Sequence, residues 1–484
     1  MSNYTNLHHH YIAGEWRDGT SSHDIVTSNP FTGEKIATFK AASLDDINDS
    51  YEALEKAQQE WGLTSPYIMS QIIEQAAQIM MHRRDELVDM LVRESGSTVT
   101  KANIEVDSCI GVIKMAVEYP FLLETTVARS AVPNKLNHII RKPVGVVTVI
   151  GPFNFPMFLA MRSVVTALAS GNTVLLKPAS TTPITGGILL AKIFEEAGLP
   201  PGMLSVVVPK TSEIGDSLYT HSIPRVISFT GSTEVGQRIG EMTGREIKRS
   251  ILELGGNNAF VVLDDADIDY AARSAVFGRF LHSGQICMSV NRVIVHESVF
   301  DEFAKKFVEY TKGLNVGDPS RPDVLIGPLI DEREAVRVEQ AVQQALQEGA
   351  EMLLEGKRDG ALVYPYVLKG SNDVYSARTE MFGPVVTLIS HKGDEDALRL
   401  ANDTDAGLSG AVHSADVARA QKFATGWRTG MVHINDQSVN DEPRVAFGGE
   451  KASGVGRFGR HITFDEFTTY QWVSVQTEQR PYPV

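Results

Sequence analysis

The sequence predicts an α/β protein of more than one domain. From about residue 139 short β-branched runs alternate with helical stretches: Val146-Val147-Thr148-Val149-Ile150, Thr173-Val174-Leu175-Leu176, Leu204-Ser205-Val206-Val207-Val208 and Val226-Ile227-Ser228-Phe229. Apolar strands separated by helices are the pattern of a parallel sheet covered on both faces. A second alternating series opens after Glu253 with Ala259-Phe260-Val261-Val262-Leu263 and continues through residues 292–295 and 385–389. At 484 residues the chain also exceeds what a single core usually holds, which argues for two or three domains.

The first forty residues alternate and turn, through Ala13-Gly14-Glu15-Trp16 and Asn29-Pro30-Phe31-Thr32-Gly33, and are expected to form short strands. Ser43-Leu44-Asp45-Asp46 has the form of a capping box ahead of a helix reaching about Trp61, and helical periodicity resumes between residues 70 and 124. The most apolar stretch, residues 144–176, is interrupted by Gly151, Pro152, Asn154, Pro156 and Arg162, so it is expected to be strand, loop and buried helix rather than a membrane span. A boundary is expected near Leu254-Gly255-Gly256. Residues 467–476 alternate with aromatics, the pattern of an edge strand that needs covering.

A net charge of −15, with 60 acidic against 45 basic residues and no basic run, disfavours nucleic acid or an anionic membrane as partner. Two cysteines cannot build a disulfide framework, and no charged n-region with an apolar h-region opens the chain; the expectation is the reducing cytoplasm. Asp264-Asp265-Ala266-Asp267 lacks the Gly and distal Glu of a calcium loop and is expected to cap a helix. His8-His9-His10 is expected to be an exposed N-terminal segment, and no metal site is expected.

Four positions combine reactive chemistry with a suitable setting. Cys287 lies in Gly284-Gln285-Ile286-Cys287-Met288-Ser289 and Glu253 in Leu252-Glu253-Leu254-Gly255-Gly256-Asn257; a thiol and a carboxylate in glycine-flanked loops suit a nucleophile and a base for acyl chemistry. A buried small hydrophobe and a solvated charge are the plainer alternatives. Asn154, in an apolar loop, is either an oxyanion donor or a turn former. Lys177 ends a buried strand, where it either meets a nucleotide or is solvated. Residues 229–236, Phe-Thr-Gly-Ser-Thr-Glu-Val-Gly, follow a strand and open a helix, with Gly231 and Gly236 placed to let backbone approach a phosphate or nicotinamide; an ordinary strand-to-helix turn is the alternative.

Taken together the motifs resemble the NAD(P)-dependent aldehyde dehydrogenase superfamily over nearly the whole chain: Pro152-Phe153-Asn154-Phe155-Pro156, Lys177-Pro178-Ala179, the turn at 229–236, Glu253-Leu254-Gly255-Gly256, Gly284-Gln285-Ile286-Cys287, Glu380-Met381-Phe382-Gly383-Pro384 and Phe447-Gly448-Gly449. The resemblance implies a Rossmann-like cofactor domain (residues 1–120 and 142–253), an α/β catalytic domain (254–460) and a small β oligomerisation extension (121–141 and 461–484), assembled as a homodimer or a dimer-of-dimers tetramer. It implies NAD as cofactor, with NADP possible.

The resemblance also implies roles. Cys287 attacks the aldehyde, Asn154 and the Cys287 N–H hold the oxyanion, and Glu253 activates the deacylating water. Lys177 binds the adenosine ribose, Ser232 the pyrophosphate region and Glu380 the nicotinamide ribose, with Phe382 beside it. Two departures stand out. Ser180 occupies the position where many NAD-specific members carry Glu, which leaves NADP open, and Phe153 replaces a common Trp. Residues 278–292 and 154–158 are similar to the bacterial benzaldehyde and vanillin dehydrogenase group, so Phe155, Met157, Phe158 and Met288 are expected either to line an aryl pocket or to be core. An aliphatic or semialdehyde substrate, a coenzyme A-acylating variant and a silent structural member are the alternatives.

Overall fold

The computed structural model describes residues 3–484. Its first sheet has eight strands, with five parallel strands at its centre in the spatial order Leu204–Val206, Thr173–Lys177, Val146–Ile150, Val226–Thr230, Arg249–Glu253. The order in the chain therefore runs outward in one direction from Val146–Ile150 and then in the other, leaving a switch point between the strands that end at Ile150 and Thr230. A crevice forms there because the two connections leave the carboxyl edge in opposite directions.

Four of the predicted residues follow from this single fact. The Asn154 loop leaves Ile150, Lys177 ends its own strand, the Gly231 turn leaves Thr230, and Glu253 ends the fifth strand. All are at one edge of one sheet.

The second sheet has seven strands in the order Glu351–Leu354, Tyr366–Lys369, Val385–His391, Val290–His296, Asn258–Val262, Gly410–His413, His433–Ile434. The chain leaves the first sheet at Glu253 and enters the second at Asn258, so Leu254-Gly255-Gly256-Asn257 is the crossing. Cys287 lies just before Val290, at the amino edge of the second sheet, which faces the carboxyl edge of the first. Gly454–Val455 returns to pair antiparallel with Arg249–Glu253, so a strand from beyond the second sheet closes the edge of the first.

Helices pack where the sequence periodicity places them. Helix α1 (Leu44–Trp61) starts at a complete capping box on Ser43 and Asp46; α2 (Pro66–His82), α3 (Arg84–Ser95) and α4 (Val99–Ala116) follow. Helix α5 (Pro156–Ala169) is buried at all fourteen positions, which explains its unbroken apolar reading. Asp267 caps the helix Ile268–Phe280 by accepting from the Tyr270 N–H.

The third sheet joins Thr125–Arg129, Lys135–Pro143 and Thr468–Gln476, all antiparallel, with Thr468–Gln476 on the outside. Tyr470 and Trp472 on that outer strand are 61% and 67% exposed. Among the described residues no helix is long and apolar enough to cross a membrane.

The expectation for His8-His9-His10 is corrected in part. His8 is exposed and His9 half-buried, but His10 begins a strand and is fully buried. Its Nδ1 accepts from the Val208 N–H at 3.0 Å and its Nε2 donates to the Lys40 carbonyl at 2.8 Å, a pairing that requires the neutral ring. The short strand signal after His10 lacked the information that this strand is inserted between two others.

Candidate active site

Two cavities meet at Cys287 and Asn154. One, of about 660 Å³, runs along the carboxyl edge of the first sheet and is lined by Lys177, Ser180, Gly231, Ser232, Glu253, Glu380 and Phe382. The other, of about 290 Å³, is lined mainly by Phe155, Phe158, Phe277, Leu281, Ile286, Met288 and Phe447, with Ser108, Gln437, Asn440 and Asp441 as its polar members. A larger open cleft of about 1100 Å³ lies beside them, near Arg378 and Arg428, and reaches neither Cys287 nor Asn154.

Cys287 is half-buried on a loop whose shape is tightly constrained. His282 and Ser283 adopt left-handed backbone angles (φ 51° and 57°), a conformation costly for residues with a Cβ. The loop is tied down in compensation: Ser283 Oγ donates to the Gly327 carbonyl at 2.7 Å, and Gln285 Oε1 accepts from the Ile330 N–H at 2.9 Å. Asn258 Nδ2 donates to the carbonyls of Cys287 (2.7 Å) and Ser289 (2.9 Å), fixing the peptide that follows the nucleophile. Gly256 is required beside it, since a Cβ there would come within 2.3 Å of the Cys287 carbonyl oxygen.

Glu253 is 3% exposed and neither carboxylate oxygen has a hydrogen-bond partner. Burial pushes its pKa up to about 8, against the pull of Arg162 and Arg457. Gly448 leaves the room it needs: a Cβ there would stand 3.0 Å from Glu253 Oε1. Burial also pushes the Cys287 thiol up to about 12, with the negative charges of Glu380 and Glu253 adding to the effect and Arg162 opposing it. Burial thus favours the uncharged form of both side chains, the thiol and the carboxyl group.

Asn154 is buried, and its Nδ2 donates to the Gln285 carbonyl at 2.8 Å. One N–H of the amide is used by this bond, which leaves the other free to meet an oxyanion.

The predicted cofactor residues divide. Lys177, half-buried, has its pKa lowered to about 8 by burial alone. Ser232 is the N-cap of the helix Thr233–Arg245 and makes no side-chain cap bond, so the first N–H groups of that helix remain available for an anion. Glu380 accepts from the Gly256 N–H at 3.1 Å, and burial raises its pKa to about 7. Phe382, at φ 42°, meets Phe153 edge-on at 5.8 Å. Ser180 is exposed at the cavity rim. Gly236 does not line the cavity; a Cβ there would meet Leu254 Cδ2 at 2.2 Å, so its service is close packing of helix on sheet.

Of the pocket residues, Phe155, Phe158 and Met288 line the smaller cavity and Met157 does not. Met157 is fully buried in the main core on the far side of α5. Adjacent helical residues diverge by about 100°, which the stretch 155–158 could not reveal until the orientation of α5 was known.

Sequence reasoning passed over the charged pair behind the pocket. Arg162 Nη1 binds Asp441 Oδ2 at 3.0 Å, and its guanidinium lies over the rings of Phe458 and Phe447 at 4.1 and 4.4 Å. A charged residue inside a wholly apolar helix was the available signal for Arg162; nothing marked Asp441. Asn258, too, was unmarked.

The model of the aldehyde dehydrogenase family matches residues 16–473. A benzaldehyde dehydrogenase of Bacillus subtilis is 45% identical over the full length of both chains. A vanillin dehydrogenase of Corynebacterium glutamicum is 47% identical over 96% of this chain and 97% of its own. A solved NAD-dependent benzaldehyde dehydrogenase from Corynebacterium glutamicum superposes with a TM-score of 0.90 at 43% identity, covering 98% of each chain.

Proposed function

The chain belongs to the aldehyde dehydrogenase family, and on that premise we propose that it oxidises an aromatic aldehyde to the carboxylic acid with NAD, or NADP, as hydride acceptor. The observation that carries the proposal is the position of Cys287, whose side chain belongs at once to an apolar cavity of about 290 Å³ and to a cleft of about 660 Å³ at the sheet switch point.

The aldehyde enters the apolar cavity with its carbonyl toward Cys287. Glu253 takes the thiol proton and Sγ forms a bond to the carbonyl carbon; the oxygen becomes an oxyanion held by the free Asn154 N–H and the Cys287 backbone N–H. Bound in the larger cleft, the nicotinamide dinucleotide supplies the hydride acceptor. Hydride loss leaves a thioester on Cys287. Glu253, having passed the thiol proton to solvent, then accepts a proton from water; the hydroxyl adds to the acyl carbon, the C–S bond breaks, and the sulfur takes that proton back from Glu253 as the carboxylic acid leaves.

The cleft fits such a cofactor. Lys177 would hold the ribose end of the dinucleotide, the unused N–H groups beyond Ser232 its pyrophosphate, and Glu380 its nicotinamide ribose; all three line or border the cleft. Ser180 offers a hydroxyl where a carboxylate would repel a 2′-phosphate, which keeps NADP in play.

The apolar cavity supports an aryl substrate over a carboxylated one. Its described lining has no Lys or Arg to pair with the second carboxylate of an acid-bearing semialdehyde, and its one acid, Asp441, already occupies Arg162 behind the pocket. Phe155, Phe158, Phe277 and Phe447 offer ring faces and edges instead. The free carboxylate of Glu253 favours hydrolysis over acyl transfer to coenzyme A.

Assembly is read from the outer strand Thr468–Gln476, whose far edge and aromatic face call for a second copy, as a homodimer or a dimer-of-dimers tetramer. The two free cysteines suit a reducing cytoplasm.

The experiment is the initial rate of NADH and NADPH formation with benzaldehyde, vanillin, acetaldehyde and succinate semialdehyde. A kcat/KM preference for the two aryl aldehydes is expected; a preference for either of the others would discard the aromatic assignment and leave the chemistry in place.

A further inference from the structure

Beneath the Asn154 loop lie two fully buried ionic side chains that the chemistry above does not use, Lys101 and Glu105 of α4. The adjoining helix α5 starts at Pro156, two residues after Asn154, and its N-cap position is Phe155, which has no side-chain acceptor for the first turn. Those N–H groups need partners from elsewhere. Glu105 Oε1 supplies one, accepting from Met157 N–H at 2.8 Å and Phe158 N–H at 3.1 Å. Helix α5 is thus capped by a carboxylate from another helix, set at the positive end of its dipole.

The pair is itself held in place. Glu105 Oε2 accepts from Lys101 Nζ at 2.5 Å; the same ammonium donates to Ser97 Oγ at 2.9 Å and lies 4.2 Å from the centroid of the Phe155 ring. On the other side Phe155 meets His282 edge-on at 5.9 Å, and Asn154 is bonded to Gln285 of the nucleophile loop. Residues 154 and 155 are therefore clamped between the loop that carries Cys287 and the buried Glu105–Lys101 pair.

A parallel arrangement serves the neighbouring loop. Glu94 Oε1 accepts from the Ile184 N–H at 2.9 Å and Oε2 from the Thr185 N–H at 2.7 Å, capping the helical segment that follows the strand ending at Lys177. Two buried carboxylates thus anchor the starts of the helical segments beyond the Asn154 and Lys177 loops.

We propose that Glu105, neutralised by Lys101, is a positioning residue for the oxyanion donor Asn154, acting by fixing the start of α5. This rests on the reading of Asn154 given above. A displacement near 1 Å at a catalytic group costs on the order of a hundredfold in rate, so the effect belongs in kcat.

The test uses the full-length enzyme with benzaldehyde. In Glu105→Gln the amide cannot satisfy both neighbours, because turning its oxygen to the α5 N–H groups turns its NH₂ to the Lys101 ammonium. The expected result is a kcat lowered by roughly tenfold to a hundredfold, with KM for the aldehyde and the Kd for NAD little changed. Lys101→Met/Glu105→Gln removes the conflict and keeps the capping oxygen, and should recover most of kcat. Lys101→Met/Glu105→Leu has the same charge without that oxygen and should not.

Each comparison is repeated in an Asn154→Ala background. If Glu105 acts through Asn154, its loss has no further effect there. Equal losses in both backgrounds would overturn the proposal and leave Glu105 a general stabiliser. Parent-like kcat in Asn154→Ala alone would instead overturn the reading of Asn154, and the proposal with it. Should Glu105→Gln fail to fold, the two neutral double variants carry the same comparison.

Discussion

The Asn154 side-chain amide donates to the Gln285 carbonyl at 2.8 Å, two residues before Cys287. The bond joins a loop from the first sheet to a loop from the second, and it spends one amide hydrogen to aim the other. In the proposed mechanism the bond sets oxyanion donor and nucleophile against each other before any substrate arrives, which is the arrangement that oxyanion stabilisation needs.

Cys287→Ala is expected to lower aldehyde oxidation by about 10⁴-fold or more, the scale seen when a covalent nucleophile is removed. Binding of NAD, followed by fluorescence titration, should stay near the parent value, because the cleft lining is otherwise intact. Substantial residual turnover would remove Cys287 from the mechanism.

Glu253 should impose its own titration on turnover. Its pKa is raised to about 8 by burial, and a base works only as the carboxylate, so deacylation-limited kcat should climb with pH and level off above that value. Glu253→Gln should flatten this profile and accumulate acyl-enzyme, seen as a burst of NADH followed by slow turnover. A single linear phase at the parent rate would exclude Glu253 as the base.

The same substitution should stabilise the protein at alkaline pH. A carboxyl group whose folded pKa lies above its unfolded value holds its proton more tightly in the fold; its stabilising effect is full below the unfolded pKa and is lost as pH rises through about 8. Gln carries no such loss. The difference in Tm between Glu253→Gln and the parent should therefore widen from pH 5 to pH 9, and a constant difference would argue that Glu253 is not buried as described.

Ser180→Glu should favour NAD. The side chain stands at the rim of the cofactor cleft, where a carboxylate repels a 2′-phosphate. The NADP:NAD ratio of kcat/KM is expected to fall by about tenfold, the equivalent of roughly 1.4 kcal/mol. No change would place the 2′ position elsewhere.

Phe155→Ala and Met288→Ala should each lower kcat/KM for benzaldehyde more than for acetaldehyde. Both side chains line the smaller cavity, and loss of apolar contact with a ring is worth about 1–3 kcal/mol in discrimination, or roughly tenfold to two-hundredfold. Met157→Ala should reduce thermal stability through a core cavity while leaving the ratio between the two substrates unchanged.

By itself the sequence determined what depends on local order. Apolar β-branched runs became the parallel strands, the Ser43 capping box became the start of α1, and the residues of the catalytic motifs could be named because each stands at the end of a strand or in a glycine turn. Only the tertiary structure decided what depends on direction and on distant partners. It turned Met157 into the core and Phe158 toward the smaller cavity, buried His10 between strands, left both oxygens of Glu253 without partners, and brought Glu105 beneath Asn154 from another helix. The reason is physical: secondary structure follows from short-range periodicity, whereas burial, pKa and helix capping across elements are set by neighbours that lie far away in the chain.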